Sequence, residues 1–304
     1  KALAYGYNGA MFPWESDDDG EEATPVWAMT GPFEHHITAD IAIACWNYYC
    51  MTKDDKWLKE KGYPLMKKVA EFWVSRVVKN QDGSYSIRNV VGANEYAEGI
   101  TDNAFTNGAV IKAFQYASEA ALLCGESAPA AWNDIAGNIV IHKFDNGITK
   151  EHVDYSGQII KQADANLLGY PLGIITDPHI LKKDLEYYED KIDNVNGPAM
   201  TYSIFSVQYA RLGDAKKATE MFHRCYAPNL RPPFSVLAET PTSQNPYFAT
   251  CAGGILQAVI NGFGGLEITS DGIVQLKSVL PPSWKKLTIK GVGKDRRTFV
   301  VNQK

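Results

Sequence analysis

The chain has 304 residues, 45% of them hydrophobic and 12% aromatic, enough to bury a sizeable core in one large domain or two unequal ones. Thirty Lys and Arg against 35 Asp and Glu leave a net charge of −5, and the basic residues are scattered instead of gathered in a stripe, so nucleic acid is not an expected partner. No run reaches the roughly 18 apolar residues of a membrane span, and the N-terminus has no basic-then-apolar leader, so the expectation is a soluble protein whose compartment stays unassigned.

The chain opens on Lys1, and Tyr5-Gly6-Tyr7-Asn8-Gly9 enters at once on what reads as the middle of a motif, so a natural N-terminal portion is expected ahead of it. Phe12-Pro13-Trp14-Glu15-Ser16 follows. An indole face packs on the apolar face of a pyranose while a neighbouring carboxylate accepts bonds from its hydroxyls. Taken alone, Trp14 as a core residue and Glu15 beside a helix cap explain the segment as well. Asp17-Asp18-Asp19-Gly20-Glu21-Glu22 lacks the alternating ligands and closing Glu of a calcium loop and reads as a solvated acidic loop. His35 and His36 are the pair to weigh as metal ligands, but no H-E-x-x-H is present, and Glu34-His35-His36 reads as a loop entering a helix near Thr38.

From about 36 to 263 the apolar residues recur at helical spacing. The stripe Leu65, Val69, Phe72, Trp73 marks one helix and Val110, Phe114, Ala117, Ala121 another, with Asp54 and Asp102 as the expected N-caps. Further helices are expected at about 38–51, 128–140, 179–190, 198–211, 214–225 and 249–262. Three polar segments interrupt this pattern. Gly92-Ala93-Asn94-Glu95-Tyr96 carries a carboxylate on a loop that runs directly into a helix. Lys161-Gln162-Ala163-Asp164 offers donors and an acceptor suited to sugar hydroxyls. Glu239 lies in Ala238-Glu239-Thr240-Pro241-Thr242-Ser243-Gln244-Asn245, ahead of a small-residue turn at Gly253-Gly254. Each of the three, by itself, is equally a polar surface loop.

After Gly264-Gly265 the period becomes two, through Leu266, Ile268, Ile273, Leu276, Leu287, Ile289, Val292, Phe299 and Val301, with a turn at Asp271-Gly272 and a break at Pro281-Pro282. This divides the chain into a helical portion, 1–263, and a small β domain, 264–304. The five cysteines form no C-x-x-C pair and are expected as buried thiols, with neither a disulfide framework nor a zinc site. A nucleophile elbow and a P-loop are absent.

Inverting glycoside hydrolysis needs one carboxylic acid to protonate the leaving oxygen and one carboxylate to activate water. Glu95 and Glu239 are the candidates for that pair. Taken in order, the Phe12–Ser16 stretch, Asn94-Glu95-Tyr96 with Asp102-Asn103-Ala104-Phe105-Thr106-Asn107, Lys161-Gln162-Ala163-Asp164, Gly197-Pro198-Ala199-Met200-Thr201 and Gly253-Gly254 resemble glycoside hydrolase family 65. That family comprises inverting disaccharide phosphorylases and a smaller set of hydrolases, among them acid trehalases, kojibiose hydrolase and the glucosidase acting on glucosylgalactosyl-hydroxylysine.

The resemblance implies a mainly α fold, an (α/α)6 toroid with a small C-terminal β domain, incomplete on its N-terminal side because the family's β-sandwich and a Trp-Asp segment precede the first motif here. It implies Glu95 as general acid, with Asn94 where the family usually has Asp. Trp14, Glu15, Tyr96, Lys161 and Gln162 are implied to bind substrate. The family's phosphorylases carry a His and consecutive serines for phosphate where this chain has Glu239, and the matched hydrolases carry Glu. Glu239 is therefore expected as the base that deprotonates water, and the function as an inverting α-glucosidase acting on a small-molecule α-glucoside without metal or cofactor. A phosphorylase, a non-catalytic carbohydrate-binding toroid and a helical scaffold are the alternatives.

Overall fold

The computed structural model describes residues 1–245 and 247–303 and divides into two compact units, Lys1–Ser156 and Gly157–Lys304.

In the first unit a 3-10 turn (Ala2–Tyr5) precedes α1 (Thr30–Phe33), α2 (His36–Thr52), α3 (Asp55–Trp57) and α4 (Tyr63–Arg76). The short hairpin β1 (Val78–Lys79) and β2 (Tyr85–Ser86) follows, then α5 (Ala104–Leu123) and α6 (Ala130–Asn138). Asp54 caps α3 as expected, its carboxylate accepting from the Trp57 N–H. A single π turn, Leu58–Gly62, joins α3 to α4. There Gly62 lies under the Trp57 ring, where a Cβ would stand 2.5 Å from the indole. Val69, Phe72 and Trp73 are fully buried as the stripe predicts, with Met66 in the place expected for Leu65. On α5, Val110, Phe114, Ala117 and Ala121 are all buried. Helix α2 packs against α5. Small residues on both, Ala39 and Ala42 on one and Ala109, Ala113 and Ala117 on the other, are fully buried, and Trp46 stacks on Tyr116 at 5.5 Å. Each large apolar side chain buried in this way contributes about 1.5–3 kcal/mol.

The expected cap at Asp102 is corrected. Asn103 is the N-cap of α5, its side chain accepting from Thr106 N–H. Asp102 takes the left-handed region, φ 54°, and its buried carboxylate does not cap the helix but accepts from Ile87 N–H, the Ser86 hydroxyl and the Asn107 amide.

In the second unit α7 (Pro178–Glu189), α8 (Met200–Leu212), α9 (Ala215–Arg224) and α10 (Ala249–Gln257) start within about two residues of their expected positions, and α10 continues into a π turn, Ala258–Phe263. A hairpin of β3 (Leu230–Arg231) and β4 (Val236–Leu237) lies between α9 and α10. The C-terminal strands form two antiparallel hairpins, β5 (Leu266–Thr269) with β6 (Gly272–Gln275) and β7 (Lys286–Val292) with β8 (Arg297–Asn302). The first turn is Ser270-Asp271, one residue earlier than expected, because Gly272 already pairs with Thr269 at a φ of 116°. No linker separates strands from helices. Phe222, Phe263 and Trp284 meet edge-on, and Arg211 on α8 pairs with Glu267 on β5 at 2.8 Å. All five cysteines are free; Cys50, Cys225 and Cys251 are buried as expected, while Cys45 and Cys124 are half-exposed.

Gly253-Gly254 is not the expected turn but lies inside α10. A Cβ on Gly254 would come within 2.5 Å of the Ser203 hydroxyl on α8, whereas one on Gly253 would meet nothing within 4 Å. The two glycines therefore respond oppositely to the same change. Gly253→Ala is expected to gain about 0.5–1 kcal/mol from helix propensity, and Gly254→Ala to lose about 1–3 kcal/mol by overpacking. Thermal melts of the two variants check this; equal shifts would mean that α8 and α10 are not closely packed.

Candidate active site

Glu95 is half-buried on a loop whose geometry is set by the residue before it. The Asn94 amide donates to both carboxylate oxygens of Glu151, at 3.0 and 3.1 Å, and Asn94 Oδ1 accepts from Tyr96 N–H. Both partners are buried, Glu151 completely. The Glu151 carbonyl in turn accepts from Ala104 N–H at 2.7 Å and from the Asn103 amide, so one residue ties the loop to the start of α5. This accounts for Asn at position 94. An aspartate there would set a second carboxylate against Glu151, and one of the two would have to carry a proton.

Glu34 was not among the residues expected here. It ends α1, and Phe33 beside it accepts from Val91 N–H at 3.0 Å, which lashes the acid loop's entry to this turn. Its side chain is only 3% exposed. Oε1 accepts from His36 Nε2 at 2.8 Å, and His36 Nδ1 donates to Asp40 Oδ2 at 2.8 Å. Burial opposes charge on His36, but Asp40 and Glu34 together outweigh it and push its pKa up to about 10, so the ring is an imidazolium donating through both nitrogens. Burial also pushes the Glu34 carboxyl up; His36 pulls it back, the nearby Glu95 charge pushes it up again, and the Trp14 indole pulls it down. Glu34 Oε2 has no hydrogen-bond partner among the described residues. His35 is a structural residue. Burial and Arg76 hold its pKa down to about 4, Nε2 donates to Pro32 O, and Nδ1 accepts from Arg76. A ring with both nitrogens donating has no lone pair for a metal, and among the described residues no cluster of three His, Cys, Asp or Glu side chains could hold one.

Trp14 is half-buried and Glu15 exposed, so neither the core nor the cap explanation holds. Their backbone N–H groups donate to the two oxygens of Glu22 at 3.1 Å, and Glu22 also binds the Lys1 ammonium and the Thr24 hydroxyl. One member of the expected solvated acidic loop is thus a fastening for the Trp14 segment. Tyr96 is 49% exposed.

In the second unit three of the singled-out segments converge at the start of α8. Ala163 N–H donates to the Thr201 hydroxyl, the Lys161 carbonyl lies against Gly197, and the Glu239 carbonyl accepts from Ala199 N–H. Lys161, Gln162 and Glu239 are half-buried. The Glu239 loop is held by residues that no sequence pattern flagged. The Asn229 amide donates to the carbonyls of Ala238 and Glu239, and the Arg231 guanidinium to those of Thr240, Pro241 and Ser243. Backbone carbonyls spent this way fix the loop without neutralising the Glu239 carboxylate.

Residues 1–157 match the glycosyl hydrolase family 65 central catalytic domain. The chain belongs to glycosyl hydrolase family 65. It is 57% identical over 302 residues to the kojibiose hydrolase of Flavobacterium johnsoniae, a match covering 99% of this chain and 44% of that protein. It is 41% identical over 310 residues to the protein-glucosylgalactosylhydroxylysine glucosidase of Dictyostelium discoideum, covering 99% and 43%. A solved structure assigned as a kojibiose phosphorylase from the human microbiome aligns with a TM-score of 0.79 at 20% identity, over 99% of this chain and 46% of that one. The chain thus spans less than half the length of these family 65 relatives. Its fold class is the expected one, mainly α with small antiparallel β elements at the C-terminus, as in the family's helical toroid. A cavity of about 630 Å³ lined by Leu3, Asn8, Val74 and Trp132 includes neither Trp14 nor Glu95 and is not the candidate site.

Two outcomes follow from these groups. Glu151→Ala removes the acceptor of both bonds from the Asn94 amide to the Glu151 carboxylate, which is expected to cost about 1–3 kcal/mol and to lower kcat with little change in KM. Unfolding and steady-state kinetics of the full-length protein test this together; unchanged stability would mean that Glu151 does not hold the loop. The two histidines set a pH optimum of stability. His35, with its folded pKa below 6.5, adds stability as pH rises from about 4 to 6.5, and His36, with its folded pKa above 6.5, loses it from 6.5 to about 10. Melting temperature against pH is expected to peak near 6.5, with His36→Gln flattening only the alkaline side and His35→Gln only the acid side.

Proposed function

We propose that the protein is an inverting α-glucosidase that removes a non-reducing glucosyl unit from a disaccharide or glycoconjugate, with a kojibiose-type α-1,2 linkage as the leading substrate. Residues 1–263 supply the catalytic portion and 264–304 the β domain. The carrying observation is the Glu239 loop. A carboxylate there repels a phosphate dianion but can take a proton from water, and neither a His nor two consecutive serines occur between 235 and 245. The family relationship and the 57% identity to a kojibiose hydrolase support the same reading.

In the mechanism Glu95 delivers its proton to the glycosidic oxygen as the bond from the anomeric carbon breaks. Glu239 accepts a proton from a water attacking the opposite face, so the new bond has the β configuration. Glu95 ends as carboxylate and Glu239 as acid, and solvent exchange returns both to their starting state. Trp14, Glu15, Tyr96, Lys161 and Gln162 hold the glucosyl unit. The proton transfers need no metal or cofactor.

Removing either carboxylate is expected to cost about 10²–10⁴-fold in kcat. Two rescues separate the roles in the full-length protein. Glu95→Gln should regain activity on α-glucosyl fluoride, whose leaving group needs no proton, and Glu239→Ala should regain it with azide, yielding β-glucosyl azide. Full turnover of kojibiose by either variant would remove that residue from the chemistry.

A further inference from the structure

Asp102 does not cap α5, yet its side chain is only 5% exposed and both of its oxygens are engaged. Oδ1 accepts from Ile87 N–H at 3.1 Å and from the Asn107 amide at 3.4 Å, and Oδ2 accepts from the Ser86 hydroxyl and from His142 Nε2, both at 3.1 Å. Four donors fill the roughly four lone-pair sites of an ionised carboxylate. Two requirements therefore meet at this position. A left-handed φ of 54° favours Gly, Asn or Asp, and of these only aspartate offers two acceptor oxygens.

The bonds close the neck of the acid loop. Asp102 N–H donates to Ile87 O at 2.8 Å, so Asp102 grips Ile87 through backbone and side chain together. One step nearer Glu95, Val90 and Ile100 exchange both backbone bonds at 3.0 Å. Between these two rungs stand Arg88 and Asn89 on one arm but only Thr101 on the other. A left-handed φ at Asn89 takes up the extra residue, and the Arg76 guanidinium donates to the carbonyls of Arg88 and Asn89. Extra residues of this kind bend the chain and re-aim the side chains beyond them. Asn107 on α5 and His142, past α6, anchor the same carboxylate to the surrounding helices and loops.

We propose that Asp102 is the positioning residue that aims Glu95. By joining both arms of the acid loop to the end of the β1–β2 hairpin and to α5, it sets where the Glu95 carboxyl meets the glycosidic oxygen. A shift of about 1 Å at a reacting group costs about 10²-fold in rate. This inference rests on the reading of Glu95 as acid.

The test is steady-state kinetics of the full-length protein on kojibiose and on α-glucosyl fluoride, with thermal melts to establish folding, for wild type, Asp102→Asn, Asp102→Gly, Ser86→Ala and Glu95→Gln. Both changes at 102 tolerate the left-handed φ; the first keeps one acceptor oxygen and the second keeps none. On kojibiose, kcat is expected to fall about tenfold in Asp102→Asn and about a hundredfold in Asp102→Gly, with KM changed less than about twofold. Fluoride hydrolysis, which needs no proton from Glu95, should change less than about threefold in both. Ser86→Ala removes one donor and leaves the carboxylate, so it keeps the test open if Asp102→Gly does not fold; a smaller loss confined to kojibiose is expected. Equal losses on the two substrates would mark a merely structural residue and overturn the proposal. An unchanged kcat on kojibiose in Asp102→Asn, or a rise in KM shared by both substrates, overturns it as well. Glu95→Gln separates the two readings. Loss of fluoride and kojibiose turnover alike in that variant overturns Glu95 as acid, and the inference about Asp102 with it. Spared fluoride turnover upholds the acid and leaves the substrate split in Asp102→Asn to decide on Asp102 alone.

Discussion

The bidentate contact of the Asn94 amide with the Glu151 carboxylate is the constraint on which the geometry of the acid loop depends. Glu151 acts through both ends of its residue, the side chain holding the loop and the carbonyl accepting from Ala104 and Asn103 where α5 begins. Helix α5 is in turn locked to α2 by a seam of buried alanines and the Trp46–Tyr116 stack. A half-buried carboxylate thereby sits on well-fastened backbone, which is what the proposed transfer to a defined oxygen atom requires. The second unit reaches the same end differently. Asn229 and Arg231 gather five carbonyl bonds around Glu239.

Charge placement follows one rule in the first unit. Three of its carboxylates are committed to donors suited to them: Glu151 to an amide, Glu34 to an imidazolium, Glu22 to backbone N–H groups, a hydroxyl and an ammonium. Buried or part-buried acids that are paired in this way hold shape and field together. The neutral His35 beside the charged His36 shows how local the control is. Arg76 faces the first and two carboxylates face the second, so adjacent rings of the same type titrate on opposite sides of the ordinary value.

Much of this was legible in the residue order. The helical stripes located α4 and α5, and period two located the C-terminal hairpins, because both patterns record which side of an element is buried. Glu95 and Glu239 stood out as acids on loops between helices. Their supports did not, since Asn94 and Glu151 are 57 positions apart and no periodicity links them. The cap of α5 was misplaced by one residue because Asp102 and Asn103 both suit the position, and a left-handed φ at Asp102 decides between them. The Gly253-Gly254 pair resembles a turn until the approach of α8 is known. The His36–Asp40 spacing of i and i+4 on one helix face was the one readable sign of the Glu34 cluster, and weighing the histidines as metal ligands passed over it.

The proposed function sets the reaction in α-glucoside chemistry and reads the carboxylate at 239 as turning it toward water. The most direct measurement is proton NMR of the full-length protein turning over kojibiose, with and without inorganic phosphate, at early times before the anomers equilibrate. Immediate release of β-glucose from the non-reducing unit at a rate indifferent to phosphate is the predicted result. Turnover that requires phosphate and yields glucose 1-phosphate, or first release of α-glucose, would contradict the account.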